Sequence, residues 1–240
     1  MEKVMAIVSG KGGVGKTMIA SNLGVVLSRM GKKTVILDLN FQARSADLAL
    51  GLESGVIYDI GDVLEGTCRL RQALVRHKEF EGLAVMEPPI AKESCQIGPI
   101  EVKVLCEKLS EIFDVILLDL AAGADEAFEG IISLAQRILV VTNQDPSSVR
   151  AVECLLKKMD KRGTKKKKLL VNQVKMKLTE RGYLTSVEDI AELLGIELCG
   201  VIPYDEHIHV AFNNGSPIAG REDSRGGEYI RRIAERFLEE

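Results

Sequence analysis

Gly10-Lys11-Gly12-Gly13-Val14-Gly15-Lys16-Thr17 comes one serine after the apolar run Val4-Met5-Ala6-Ile7-Val8. The octapeptide fits G-x-x-x-x-G-K-[ST], with a strand pattern before it and helical periodicity after it, the context a phosphate-binding loop requires. At average residue usage a chance match in a chain of this size has a probability on the order of 1%. The glycines let the backbone turn its N–H groups inward as an anion-binding nest, and the helix N-terminus behind them adds positive potential. In such a loop Lys16 reaches the β- and γ-phosphates of a nucleotide, and the Thr17 hydroxyl binds Mg²⁺.

Outward from the loop, short apolar runs alternate with amphipathic stretches. Strand patterns cover 4–8, 34–38, 83–87, 115–118, 137–142, 168–172 and 199–203. Several are apolar at consecutive positions, as expected of strands covered on both faces. Ile19, Leu23, Val26 and Leu27 recur at helical steps, as do Val102, Leu105, Leu109 and Ile112 after Pro99. Thr185 with Glu188 three residues on reads as a capping box before another helix. This alternation predicts an α/β fold, a doubly wound, mainly parallel sheet with helices on both faces. No linker or repeat divides the chain, so residues 1–240 read as one domain. Ligands of such folds bind at the carboxyl ends of the strands. The acid that holds the metal of a phosphate loop usually ends an apolar strand. Asp119 does so after Val115-Ile116-Leu117-Leu118. Asp38, after Val35-Ile36-Leu37, is the second candidate, for Mg²⁺ or for the attacking water.

The 32 Lys and Arg against 35 Asp and Glu give a net charge of -3, which argues against a chain built mainly to coat nucleic acid. The basic run Lys157-Lys158, Lys161-Arg162 and 165–168 reads as a solvated helix end and loop; no aromatics interleave it. The five cysteines form no C-x-x-C pair and read as buried thiols of a reducing compartment. His77, His207 and His209 show no metal-ligand grouping. With no apolar stretch of membrane-spanning length and no signal pattern, the expected location is cytoplasmic.

Lys11, inside the loop, narrows the family: 11–17 resembles the deviant Walker A motif of the MinD/ParA ATPases. The likeness continues through Asp38-Leu39-Asn40, Arg44, Asp47-Leu48, Tyr58-Asp59 and Ser147-Ser148-Val149-Arg150. It extends to Gly200-Val201-Ile202-Pro203, Asp205, Asn213 and Pro217, and favours the MinD branch over a generic ParA. The nitrogenase iron protein shares the loop, but no cluster-binding cysteine closely follows Asp119. The resemblance implies an ATPase that dimerises around ATP and Mg²⁺, with Lys11 reaching the partner's phosphates as an arginine finger does. The ATP-binding set it implies is Gly10, Lys11, Gly12, Gly13, Val14, Gly15, Lys16, Thr17 and Met18, with Asn172, Pro203 and Asp205 around the adenine. The catalytic set is Lys11, Lys16, Asp38, Asn40 and Asp119, and the metal set Thr17, Asp38 and Asp119. It further implies division-site placement, a MinC-like division inhibitor, an activating or anchoring partner and a peripheral position at the inner membrane face. The alternatives are an ATP-locked scaffold and a ParA-like, flagellar or pilus-positioning paralogue.

Three departures stand out. Asn40 occupies the place of the usual second aspartate of D-x-D, and an amide is no useful base, so hydrolysis should be slow with nucleotide binding kept. Leu120-Ala121-Ala122-Gly123 lacks the usual proline, which frees φ at position 121. The chain closes on Glu239-Glu240, without the basic amphipathic helix that gives relatives membrane affinity. The stripe Tyr229, Ile230, Ile233, Ala234, Phe237 and Leu238 therefore reads as core packing, and membrane association as indirect.

Overall fold

The structure, a computed structural model, describes residues 3–41, 43–89, 97–123, 126–160, 166–221 and 223–239. The strands are β1 (Val4–Val8), β2 (Thr34–Leu39), β3 (Val75–Arg76), β4 (Leu83–Met86), β5 (Val115–Leu120), β6 (Arg137–Thr142), β7 (Lys166–Val174) and β8 (Glu197–Pro203). The helices begin with α1 (Lys16–Arg29), α2 (Ala46–Ala49), α3 (Ile60–Glu65), α4 (Pro99–Ser110) and α5 (Glu126–Ile132). They continue with α6 (Pro146–Asp160), α7 (Met176–Glu180), α8 (Val187–Leu194), α9 (Glu206–Asn213) and α10 (Arg225–Leu238). All the strands join one sheet in the order β3-β4-β2-β5-β1-β6-β7-β8, parallel except where β3 meets β4.

Every residue of β1, β2 and β5 is buried, because successive side chains enter two different cores. Val4, Ala6 and Val8 face the layer of α3, α4, α5, α6 and α8. Met5 and Ile7 face α1, α9 and α10. This explains the consecutive apolar runs and confirms the predicted doubly wound sheet. Most of the α10 stripe packs inward: Ile230, Ile233, Ala234 and Phe237 are buried and Leu238 is half-buried, but Tyr229, expected in the core, is exposed at the helix's outer edge. Arg137 and Lys168 donate to carbonyls of its last turn and just beyond.

The structure departs from the sequence reading in several places. β2 and β5 run one residue past their aspartates, because Leu39 and Leu120 pair across the sheet and pack into the first core. Helix α8 is capped by Ser186, whose hydroxyl accepts from Asp189 N–H at 3.0 Å, so the cap falls one residue after Thr185. Ile112 lies beyond α4 but still packs against its core. β3, two residues long and on the edge, has too little apolar pattern to be legible. Cys106 and Cys199 are buried as expected, whereas Cys68 is only half-buried and Cys154 is exposed on α6; Cys95 lies outside the described residues. Lys161-Arg162 and Lys165 of the basic run lie outside the described residues.

Candidate nucleotide-binding site

β1 delivers Ser9 and the glycine loop to the carboxyl edge of the sheet, and α1 begins at Lys16. Gly13 (φ 79°) and Gly15 (φ 93°) are left-handed, a conformation that L side chains rarely adopt. A Cβ on Gly15 would stand 2.5 Å from Asn172 Nδ2, and one on Gly10 would stand 2.2 Å from the backbone of Ala151 on α6. The loop is therefore pressed against β7 on one side and α6 on the other. Asn172 is buried and its Nδ2 donates to Val14 O at 2.8 Å, beside a register irregularity of β7 between Val171 and Val174, where Gln173 has φ 58°. Helix α1 has Gly15 at its N-cap, no side-chain cap and no acid in its first turn. Its leading N–H groups and positive dipole end are thus left for an anion.

Lys16 is 7% exposed and donates to Ser9 Oγ at 2.9 Å; burial lowers its pKa against the pull of Asp119. Register places Asp38 directly opposite Asp119 on β5. Both carboxylates are fully buried but differ in their partners. Asp38 accepts the N–H groups of Asn40, Ser45 and Ala46 at 2.7, 3.0 and 3.1 Å. Burial raises its pKa and those backbone hydrogen bonds oppose the shift. Neither oxygen of Asp119 has a partner at full hydrogen-bond geometry, though the Thr17 hydroxyl lies close enough to act on its charge. Burial, then the charge of Asp38, pushes Asp119 up to about 7, with the Thr17 hydroxyl and Lys16 opposing. Two carboxylate oxygens without a hydrogen-bond partner beside a threonine hydroxyl suit a divalent cation, while Lys16 suits the phosphates that would come with it. Among the described residues no group of three or more His, Cys, Asp or Glu could hold an ion alone, so Mg²⁺ here would need water and phosphate oxygens as well.

A cavity of about 460 Å³ opens over the loop. Gly12, Gly13, Gly15, Lys16, Thr17 and Asn40 line its phosphate end, and Met18, Asn172, Pro203 and Asp205 its far end. Asp205 caps α9 through His207 N–H at 2.8 Å, and that bond lowers its pKa. Gly10, Val14, Asp38 and Asp119 support the cavity from beneath without lining it. Lys11 turns to its own α6, donating to Ser147 Oγ at 2.9 Å. Tyr204, inside the 203–205 loop that the sequence reading singled out, also lines the far end; the reading missed Ile208 and Phe212 there, and His209, whose ring lies 5.6 Å from that of Tyr204. It also missed Ser45, 3.4 Å from Thr17 Oγ1, and Glu87. Glu87 is fully buried and pushed up to about 9 by burial and by Asp38 and Asp47. Its signal in the sequence was a carboxylate ending an apolar strand run.

A strand, a left-handed glycine loop, an uncapped helix, a buried lysine and two facing buried aspartates define a P-loop nucleotide-binding protein. Residues 5–218 match the model of the CobQ/CobB/MinD/ParA nucleotide binding domain, and the chain belongs to that family. The septum site-determining protein MinD of Bacillus subtilis is 33% identical over 242 residues, 100% of this chain and 90% of the relative. The MinD structure in the MinC:MinD cell division complex of Aquifex aeolicus superposes with a TM-score of 0.87 at 36% identity, covering 99% of this chain and 96% of that one. MinD of Pyrococcus horikoshii, solved with Mg-ADP, superposes with a TM-score of 0.84 at 26% identity, over 98% and 95%.

Proposed function

We propose that the chain is an Mg²⁺-dependent ATP switch of the MinD type, which dimerises around ATP and recruits a MinC-like inhibitor in division-site placement. The observation that carries the reading is the pairing of an uncapped α1 N-terminus with the two unpartnered Asp119 oxygens across Lys16. The loop N–H groups take the phosphates, and Lys16 leaves Ser9 for the β- and γ-oxygens. Thr17 and Asp119 would hold Mg²⁺, which would neutralise phosphate charge, and Asp38 keeps lone pairs free beyond its backbone bonds. The apolar wall of Met18, Ile208 and Phe212 receives the flat face of adenine, and Asn172 and Asp205 offer polar contacts at its edge.

Dimerisation requires Lys11 to leave Ser147 and cross to the partner's phosphates. MinD proteins and a MinC:MinD complex among the relatives support the division role and the inhibitor. An activating or anchoring partner belongs to the same reading. The second reading, an ATP-locked scaffold, rests on Asn40 in place of a charged side chain. Equilibrium binding of a fluorescent ATP analogue tests the site: Mg²⁺-dependent binding should fall by at least about 100-fold in Lys16→Ala. Unchanged affinity would remove the phosphate loop from the account.

A further inference from the structure

Glu87 has no part in that reading, yet it is 0% exposed at the carboxyl end of β4, beside the strand that carries Asp38. A carboxyl group is not buried there without cost, so what it holds matters. Glu87 Oε1 accepts Asp47 N–H at 2.8 Å, and Oε2, without a hydrogen-bond partner, faces Arg44 Nε at 3.8 Å. The Glu87 carbonyl accepts Ile60 N–H at 2.9 Å, which anchors the start of α3 to the same residue. Arg44 has φ 38°, a conformation unusual for a residue with a side chain, so the turn after β2 needs outside restraint. That restraint comes from two acids: Asp38 takes Ser45 and Ala46 N–H from β2, and Glu87 takes Asp47 N–H from β4. The turn so held brings Asn40, Ala43 and Ser45 to the cavity wall, with Ser45 next to Thr17.

We infer that Glu87 is a positioning residue of the nucleotide switch: it sets the turn after β2 against the γ-phosphate end of the cavity, through Asp47 N–H and Arg44. The inference rests on the ATP-switch reading and adds to it a residue that touches neither nucleotide nor metal. The glycine loop is common to ATP and ADP, whereas the turn stands at the Thr17 end, where the two nucleotides differ. Glu87 therefore governs the preference for ATP rather than nucleotide binding as such.

The test compares Mg-ATP and Mg-ADP affinities of the full chain with Glu87→Leu and Glu87→Gln, alongside thermal melting. Leucine removes both the acceptor and the buried acid; glutamine keeps an oxygen for Asp47 N–H. Glu87→Leu should lose about tenfold in Mg-ATP affinity and less than about threefold in Mg-ADP affinity, the scale typical of supports behind a metal site. Glu87→Gln should keep the wild-type ratio. Amide hydrogen exchange at 44–47 should quicken in the leucine variant alone. Parallel loss of both affinities with a lower melting temperature would make Glu87 merely structural and overturn the inference. So would an unchanged ratio in Glu87→Leu, or a ratio lost in Glu87→Gln. A wild-type chain that binds neither nucleotide overturns the switch reading itself.

Discussion

Asn40 is held by its backbone: its N–H donates to Asp38, and its carbonyl accepts from Ala43 and Arg44 at 3.1 and 2.9 Å. Its side chain stands at the cavity wall, where it can orient a water molecule but cannot take its proton. Asn40→Asp should raise ATP turnover by about 100-fold, the usual yield of a general base, and leave ATP affinity within about threefold. Phosphate release measures it; brisk turnover that is unchanged in the variant would contradict the role. Glu87 makes a separate prediction about pH. Its acid is favoured protonated in the fold, up to about 9, while the unfolded chain releases the proton from 4.5. The stabilisation is complete below pH 4.5 and is lost as pH rises toward 9, with a slope of at most about 1.4 kcal/mol per pH unit. Denaturant unfolding at pH 6 and pH 8 should show the wild type losing stability between them, with the loss reduced in Glu87→Gln. Identical pH dependence in the two proteins would show that the fold does not hold Glu87 protonated across that window.

Helix α10 shows how an amphipathic stripe is assigned. Its apolar side lies in the second core, and Ile233 packs so closely on Gly200 that a Cβ there would stand 2.5 Å from Ile233 Cγ1. Turning that face outward would take Ile230, Ile233 and Phe237 out of the second core, and each would cost roughly 1.5–3 kcal/mol wherever it met water. Liposomes of anionic lipid should therefore not pellet this chain alone with Mg-ATP; ATP-dependent pelleting would contradict the core assignment. At this scale local patterns were legible and lateral neighbours were not. The loop announces itself because glycine spacing, lysine and threonine are contiguous, and the aspartates because each follows an apolar run. Glu87 follows such a run too, but its meaning depends on β4 lying beside β2, which sheet order alone reveals. The facing of Asp38 and Asp119 likewise comes from register between strands far apart in sequence. The cap of α8 slipped by one residue because Thr185 and Ser186 are chemically equivalent caps, and only backbone geometry selects Ser186.

In the whole molecule, the carboxyl edge of one continuous sheet gathers the loop, both aspartates, the turn after β2 and the far wall of the cavity. Lys11 is exposed and parked on Ser147 of its own chain. An exposed lysine–hydroxyl contact is worth little, so the phosphates of a facing subunit can draw Lys11 away at small cost. Lys11→Ala should therefore bind Mg-ATP and fail to dimerise. The central claim is that ATP, and not ADP, joins two copies of this chain. Molar mass by light scattering in Mg-ATP and in Mg-ADP, with the ATP sample followed for hours, tests it most directly. The account predicts a dimer in Mg-ATP that persists, because Asn40 is a poor substitute for a base, and a monomer in Mg-ADP. A monomer in both nucleotides would contradict it.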